Sequence, residues 1–371
     1  MKILTGIDIP FNPFGGSPII VDDWYSNLPK GNEILFLTMP SSDGKKWWKM
    51  KQVYFLKTKK EKDPKFYQGY IHDLNMEVKK VIEMYKPDII HLQHINFGLS
   101  RSFCEVGGNI PKLAFCHGTD TQYASKNEFF LSNLKYIADR SDILVFPTIN
   151  MKNDFQKLYG HKFSFKVVPH GIPEKLFKRS KIHKKGKLFK LMYAGRLNTF
   201  KGADIAVGSL RYLQFPIKLD VYGREDEEGY VSKIKKTVDD KNLQNKVSFH
   251  DMVSRKKLWR LFQKYDAIAI PSRSLEAFSI TSIEAQATGI VVIYGNGGGI
   301  VNVVGNSGIM IKNNSPRYLA NILKTLYKNP EVLKKYRKLG YKNAKKYKLR
   351  NQIKEMLILS KLLINGTKII Y

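Results

Sequence analysis

Short, nearly uninterrupted apolar runs alternate with helical periodicity along the chain, and this alternation constrains the fold most. Strands that are apolar on both faces are typical of a parallel sheet covered by helices on both sides. The runs of the first half are Lys2–Gly6, Ile34–Thr38, Pro87–Leu92, Leu113–Cys116, Ile143–Phe146 and Lys166–Pro169. Those of the second half are Leu188–Ala194, Leu219–Tyr222, Val247–Phe249, Ala267–Ile270 and Val291–Ile293. The sequence therefore predicts an α/β protein with two doubly wound domains.

A strongly basic stretch divides the two series of strands. A chain of 371 residues is long for a single domain, so this stretch is interpreted as a linker. The predicted organisation is a first domain at 1–172, a linker at 173–187, a second domain at 188–350, and a C-terminal helix at 351–371 that packs back toward the first domain. The carboxyl ends of both sheets are expected to share a crevice.

The net charge of +31, from 63 Lys and Arg against 32 Asp and Glu, favours anionic partners. Nucleotide phosphates, an anionic membrane surface and nucleic acid all have that character. No recognised nucleic-acid-binding module accompanies the charge, so nucleic acid is not expected as a partner. The alternative is a lysine-rich composition in which most cations are merely solvated.

The sequence indicates a cytoplasmic protein, with peripheral attachment to the inner face of the membrane as an option. Asp8 interrupts the N-terminal apolar run too soon for a signal peptide, and no run of 18 apolar residues follows. Cys104 and Cys116 form no CxxC or zinc spacing, which suggests a reducing compartment. The lysines around Trp47 and Trp48 suit a lipid headgroup interface, although the two Trp could equally pack under a loop.

Two glutamates in the second half are the strongest candidates for a ligand site. Glu276 falls on a turn after the strand 267–270, and Glu284 lies in a helical stretch, 281–288, that Gly289 ends. A strand, a turn and a helix place backbone N–H groups at a helix N-terminus, where anions bind. A polyhydroxylated ligand that carries phosphate would suit amides and carboxylates together. Two surface charges at a chance spacing are the alternative.

Further polar groups follow strands in both halves. Arg196 and Lys201 lie on one strand-to-helix loop and could clamp a diphosphate, or be two ordinary surface cations. Gly15 and Gly16 occupy the first loop of the first domain, where glycine allows close approach of a phosphate; a plain turn is the alternative.

Three histidines, His91, His94 and His117, could also be interpreted as a metal cluster. The first two are three residues apart at a strand end and face different ways, so no metal is expected there.

In order and spacing, these pieces resemble the retaining glycosyltransferases of family 4, which have the GT-B fold, over nearly the whole chain. The matching pieces are Gly15–Gly16, Pro87–His91, His117–Gly118, Val168–Ile172, Arg196 with Lys201–Gly202, and Glu276 with Glu284. The resemblance implies two Rossmann-like domains that face a central cleft. The first would hold the acceptor and the second the nucleotide-sugar donor.

The resemblance also implies roles for these residues. Arg196 and Lys201 would neutralise the departing diphosphate, Glu284 would hold ribose hydroxyls, and Glu276 would hold hydroxyls of the donor sugar. His117 would line the acceptor side of the anomeric carbon. The predicted catalytic set is therefore His117, Glu276, Arg196 and Lys201. The other donor-binding positions would be Gly16, Phe278, Ser279, Ile280, Thr281 and Glu284, and the other acceptor-side positions Gly15 and Asp120, although a helix cap is the preferred role for Asp120.

Two positions depart from the family pattern. Ser279 stands where the family usually has Gly, and it would narrow the approach to the sugar. Asn302 stands where a Glu usually follows the later glycine pair. Neither change removes a phosphate-binding cation, so activity is still expected.

The expected function is metal-independent, retaining transfer of a hexose from a nucleotide-diphosphate sugar, with UDP preferred, to an acceptor hydroxyl. No Asp-x-Asp motif is present, so neither a metal nor a further cofactor is expected. The acceptor would belong to cell-surface or lipid-linked glycan synthesis, or be a small natural product such as an aminoglycoside aglycone. A sugar epimerase or phosphorylase, a nucleic-acid-binding protein and a non-catalytic sugar-nucleotide sensor stay open as alternatives.

Overall fold

The computed structural model describes residues 1–11, 16–41, 44–61, 63–177, 188–273 and 276–367, which form two compact units. The first unit joins Met1–Gly171 to the C-terminal segment that starts at Leu349, and the second is Ile172–Lys348. Within the predicted linker, Glu174–Leu176 form a short 3-10 helix whose Leu176 packs into the core of the second unit. Positions 178–187 of that linker lie outside the described residues, as does Gly15.

The first unit is built on a sheet of seven parallel strands. The strands are β1 (Lys2–Pro10), β2 (Glu33–Met39), β3 (Val53–Phe55), β4 (Ile89–Gln93), β5 (Lys112–Phe115), β6 (Ile143–Phe146) and β7 (Phe165–Val167). Their order across the sheet is β3-β2-β1-β4-β5-β6-β7. Every registered pair is parallel, as the continuous apolar runs predict.

Helices connect these strands. They are α1 (Gly16–Ser26), α2 (Tyr67–Tyr85), α3 (Gly98–Val106), α4 (Thr119–Ala124), α5 (Glu128–Asp139) and α6 (Ile149–Tyr159). In α2, Ile71, Leu74 and Val78 recur at helical spacing and are buried, each stabilising the unit by about 1.5–3 kcal/mol. The α6 helix starts where the Thr148 side chain accepts from Met151 N–H and ends at Gly160, which has φ of 84°.

The second unit repeats the architecture with six parallel strands. They are β8 (Phe189–Ala194), β9 (Ile217–Tyr222), β10 (Val247–His250), β11 (Ala267–Ile270), β12 (Val291–Gly295) and β13 (Ile309–Ile311), in the order β10-β9-β8-β11-β12-β13. The connecting helices are α7 (Ala203–Ser209), α8 (Tyr230–Asp240), α9 (Arg255–Phe262), α10 (Ile280–Thr288), α11 (Ile300–Val304), α12 (Pro316–Lys328) and α13 (Pro330–Ala344). Aliphatic side chains from both faces of the sheet form its core.

The last helix, α14 (Leu349–Ile364), belongs to the first unit although it follows the second unit in sequence. Two of its polar side chains are buried there. Gln352 accepts from the Trp24 indole N–H at 2.8 Å, and the Ser360 hydroxyl lies 2.9 Å from Nε2 of His91. Within the described residues, no helix combines the length and apolar character needed to cross a membrane.

The predicted fold class is confirmed: both units are doubly wound α/β structures. Sequence reasoning missed β3 and β13, which have three residues each and lie at sheet edges. A run of three residues is too short to establish a period on its own.

Candidate functional site

The two loops of the second unit that carry the candidate ligand-binding residues lie at the switch point of its sheet. From β8 the chain proceeds outward to β9 and β10, and later returns to β11 on the other side of β8. The loops that follow β8 and β11 therefore diverge from adjacent strands at the carboxyl edge. In open parallel sheets this is where ligands bind.

Lys201 and Glu276, one from each of these loops, are in direct contact. The Lys201 ammonium lies 2.5 Å from Oε2 of Glu276, and the two side chains are 24% and 13% exposed. The Ser272 hydroxyl donates to the same oxygen at 3.1 Å. Burial opposes ionisation of this carboxyl, but Lys201 and Ser272 outweigh it and the pKa of Glu276 lies below its usual value. A carboxylate and an ammonium thus stand side by side at the switch point.

Backbone contacts lock the two loops together. A Cβ on Gly202, which has φ of +72°, would lie 2.3 Å from the Pro271 carbonyl, so only glycine allows this approach. The backbone N–H of Arg273 donates to Phe200 O at 2.8 Å. Its guanidinium also donates two hydrogen bonds to the Asp204 carboxylate, at 2.9 and 2.5 Å. Sequence reasoning missed Arg273, because an isolated Arg on a loop gives no local signal of its partner 69 positions away.

Arg196 lies on the same loop as Lys201 but pairs elsewhere. Its guanidinium lies 2.8 Å from Asp226, and its side chain is 58% exposed. It is close enough to help keep the Glu276 carboxyl ionised. All four residues of the acidic run 225–228 are exposed; Asp226 also accepts from Asn198, and Glu227 accepts from Thr199.

Glu284 is buried rather than solvated. Its side chain is 3% exposed, and its Oε1 lies 2.5 Å from Nε of Arg255 at the start of α9. The Arg255 guanidinium also lies 4.9 Å from the centre of the Trp259 ring, a cation–π contact. Arg255 is a further site residue that sequence reasoning missed, because it precedes Glu284 by 29 positions on another helix.

The remaining predicted donor-binding positions form the start of α10. Ser279 is the N-cap in the left-handed conformation, with φ of 73°, and its own side chain makes no capping hydrogen bond to the first turn, which begins with Ile280 and Thr281. Gly289 ends the helix at φ of 79°, as predicted. The Phe278 side chain is part of the core and packs edge-on against Tyr347, so only its backbone is placed for a ligand.

The first unit has an equivalent switch point between β1 and β4. Gly16 starts α1 there, and a Cβ at this position would meet no described protein atom within 4 Å. The hydroxyl of the next residue, Ser17, lies 2.9 Å from Nε2 of His94. His94 follows β4 with φ of 65°, a strained conformation for a non-glycine residue that is typical of functional sites.

His117, two residues after β5, lies in a cluster of aromatic rings. Ring centres of His94, Trp24 and His170 lie 4.4, 5.9 and 6.1 Å from it. Burial, and then the neighbouring His94 and His170, hold the pKa of His117 well below its usual value. The imidazole is therefore neutral at physiological pH.

Asp120 is hydrogen-bonded to the backbone of His117. Its side chain is fully buried, and Oδ2 accepts from the backbone N–H of His117 at 2.6 Å. The preferred helix-cap role is wrong, since Gly118 is the N-cap of α4 and Asp120 lies in its first turn.

The histidines do not form a metal site. His91 points to Tyr25 and Ser360, whereas His94 points to Ser17 and Thr119. Across the described parts of the chain, no group of three His, Cys, Asp or Glu side chains could hold a metal ion.

Two family models match the chain. The model described as "Glycosyl transferases group 1" matches residues 174–346, which include both loops at the second switch point. The model described as "Glycosyltransferase Family 4" matches residues 49–176, which include His94 and His117. No curated protein sequence matches the chain.

Solved structures share the arrangement at low sequence identity. Sucrose-phosphate synthase from Thermosynechococcus elongatus has a TM-score of 0.83 at 17% identity, over 98% of this chain and 99% of that chain. HepE from Anabaena in complex with UDP-glucose has a TM-score of 0.79 at 18% identity, over 96% and 99%. WaaG, a glycosyltransferase involved in lipopolysaccharide biosynthesis, has a TM-score of 0.71 at 16% identity, over 95% and 98%. With both family models matched and this fold in common, the chain belongs to the group 1 and family 4 glycosyltransferases and has their GT-B fold.

Proposed function

We propose that this protein transfers a hexose from a UDP-sugar to an acceptor hydroxyl, with retention of the anomeric configuration and without a metal ion. The observation that carries the proposal is the contact of Lys201 with Glu276 at the switch point of the second sheet. The proposal follows because an ammonium suited to a diphosphate lies beside a carboxylate suited to sugar hydroxyls.

Three positive features of the second unit support a diphosphate leaving group. They are the Lys201 ammonium, the exposed guanidinium of Arg196, and the N-terminus of α10, which the Ser279 side chain does not cap. Preorganised positive groups stabilise the charge that develops on a departing diphosphate, and they can do so without a divalent cation. The solved complex of HepE with UDP-glucose agrees with UDP as the nucleotide.

Glu284 supports recognition of the nucleotide. A buried carboxylate whose Oε1 already meets Arg255 is held in one orientation. Carboxylates bind vicinal hydroxyls such as those of ribose through two O–H donors. Arg255 would orient Glu284 in that role.

Retention is proposed because, among the described residues of the second unit, no obvious general base lies near Glu276. Glu276 is ionised but already holds Lys201 and Ser272. Departing phosphate itself can accept the proton of the acceptor hydroxyl, with the new bond forming on the face that the leaving group vacates. The neutral His117 would not repel the positive charge that develops at the anomeric carbon.

For the acceptor, we propose a lipid-linked or cell-surface glycan. The net charge of +31 and the exposed Lys45 and Lys46 favour an anionic surface. Trp48 packs against Phe11 and Phe55, and Lys45 lies over the Trp47 ring. The two partly buried Trp side chains therefore help to hold the segment that carries Lys45 and Lys46. The protein would work as a peripheral enzyme on the cytoplasmic side of a membrane.

The test is a transfer assay with a panel of nucleotide sugars and lipid-linked acceptors, followed by NMR of the product. An α-linked product from an α-linked UDP-sugar, formed equally well with EDTA, is expected. An inverted product would overturn the proposed retention of configuration. Loss of activity with EDTA would overturn the proposed metal independence. Consumption of free phosphate would instead indicate a phosphorylase, and donor binding without turnover a sensor.

A further inference from the structure

A chain of buried hydrogen bonds connects α14 to His117. It begins at Ser360, whose hydroxyl donates to Met356 O at 2.7 Å and lies 2.9 Å from Nε2 of His91. On the other side of the same ring, Nδ1 of His91 lies 2.8 Å from the Tyr25 hydroxyl. Ser360 and His91 are fully buried and Tyr25 is 3% exposed, so the bonds are shielded from solvent.

Gln93 carries the chain onward from Tyr25. Its amide nitrogen donates to the Tyr25 hydroxyl at 2.8 Å and to Thr5 Oγ1 at 3.3 Å, and its Oε1 lies 2.8 Å from Nε2 of His117. Gln93 is 1% exposed. We call Ser360, His91, Tyr25, Gln93 and His117 the hydrogen-bond relay.

The direction of the relay follows from the first hydroxyl. Ser360 gives its one hydrogen to Met356 O, so it accepts from Nε2–H of His91. Burial lowers the pKa of His91 to about 3, so its ring is neutral and Nδ1 carries no proton. That nitrogen therefore accepts from the Tyr25 O–H, whose oxygen is left to accept from Gln93.

The same logic fixes the far end. With its nitrogen turned toward Tyr25, Gln93 presents Oε1 to His117, and only a protonated Nε2 can bond to it. Nδ1 of His117 is then unprotonated and can only accept a hydrogen bond. It is buried and has no hydrogen-bond partner among the described protein atoms.

We propose that the hydrogen-bond relay holds His117 as the neutral tautomer protonated on Nε2, and that Ser360, His91, Tyr25 and Gln93 are positioning residues for it. His117 thereby offers a hydroxyl of the substrate an acceptor at Nδ1 and offers no donor to an oxyanion. The opposite tautomer would require every bond in the relay to reverse and the Gln93 amide to turn over. The link to catalysis rests on the proposed glycosyl transfer, whereas the tautomer itself does not.

The direct test is NMR of the full chain with 15N-labelled histidine, since imidazole nitrogen shifts distinguish the two tautomers. A His117→Asn variant assigns the signal. We expect His117 to carry its proton on Nε2, and Tyr25→Phe and Ser360→Ala to produce a mixture of tautomers. A wild-type proton on Nδ1, or an unchanged His117 in both folded variants, would overturn the proposal.

Ser209→Ala is the matched control. Ser209 is fully buried in α7 and donates to Ala206 O, as Ser360 donates within its own helix, but it lies in the other unit. It should leave the His117 signals unchanged. A similar shift in this control would show that general destabilisation, rather than the relay, moves the proton.

The second readout separates positioning from structure. In the transfer assay, Tyr25→Phe should lower kcat by about tenfold with little change in KM for the donor, as loss of an orienting hydrogen bond typically does. A mixed tautomer with unchanged kcat would overturn the link to catalysis. If the protein transferred no sugar at all, the proposed function would fail while the NMR result would still decide the tautomer.

Discussion

At the scale of single residues, the candidate site depends on ionisable groups whose partners already hold them in place. Lys201 meets Glu276, Arg255 meets Glu284, and Arg196 meets Asp226. Only Arg196 in this set is mostly exposed. The first two pairs are held in position by their neighbours, and Arg196 is the group with the most freedom to follow a ligand.

Replacing Lys201 or Glu276 by Ala should lower turnover by at least about 100-fold, as expected when a group that stabilises the transition state is lost. Because the two side chains touch, the double variant should lose less than the product of the single losses. Steady-state kinetics with a UDP-sugar checks both statements. Lys264→Ala, an exposed lysine of the same unit, is the control and should retain the wild-type rate.

The buried histidines should make the protein sensitive to acid. Burial lowers the pKa of His91 and of His170 to about 3, below the value of about 6.5 in an unfolded chain. The unfolded state therefore binds more protons below about pH 6.5, and each histidine lowers the free energy of unfolding by up to about 1.4 kcal/mol per pH unit as the pH falls toward 3.

Urea denaturation at pH 7.5 and pH 5 checks this expectation. The fall in the free energy of unfolding should be smaller in His91→Gln than in the wild type. His72→Gln, at an exposed position of α2, should keep the wild-type fall. An equal fall in all three proteins would show that His91 is not responsible.

Sequence reasoning picked out candidate residues that follow a strand, because that position alone points to the ligand-binding edge of a parallel sheet. Arg196, Lys201 and Glu276 belong to this group, because each lies on a loop at the carboxyl edge of a parallel sheet. It did not identify Arg255 or Tyr25. Their contacts are with partners 29 and 66 positions away, which only the folded chain brings together.

At the scale of secondary-structure elements, the helix α10 shows how a departure from the family pattern is accommodated. Ser279 adopts the left-handed conformation that glycine takes without strain, instead of changing the path of the loop. The sequence shows that position 279 carries a Cβ, but only the backbone shows that this residue is left-handed and therefore strained. Apolar periodicity likewise predicted the long strands and not the loop conformations between them.

Ser279→Gly should raise the free energy of unfolding by about 1 kcal/mol, because glycine removes the cost of a left-handed residue. Ser315→Gly is the matched control. Ser315 is the N-cap of α12 with φ of −89°, and its side chain accepts from Tyr318 N–H. Glycine there should instead lower the free energy of unfolding slightly. Urea denaturation measures both, and the same sign in both variants would contradict the role of φ.

At the scale of the whole molecule, the positive charge should bring the protein to anionic membranes. Binding to vesicles that contain phosphatidylglycerol should exceed binding to pure phosphatidylcholine and should weaken in high salt. Replacing the exposed Lys45 and Lys46 by Ala should reduce it more than replacing Lys79 and Lys80, which are exposed on α2. Equal losses in a flotation assay would indicate that net charge alone governs binding.

The discontinuous first unit has a consequence for biosynthesis. During translation, residues 1–171 leave the ribosome long before α14, which supplies Ser360 and Gln352. Until those side chains emerge, Nε2 of His91 and the Trp24 indole N–H lack their native hydrogen-bond partners, so the nascent half cannot complete its interior. The N-terminal portion should therefore stay a substrate for chaperones while the middle of the polypeptide is synthesised, and a ribosome stalled before codon 349 should present an incompletely folded product.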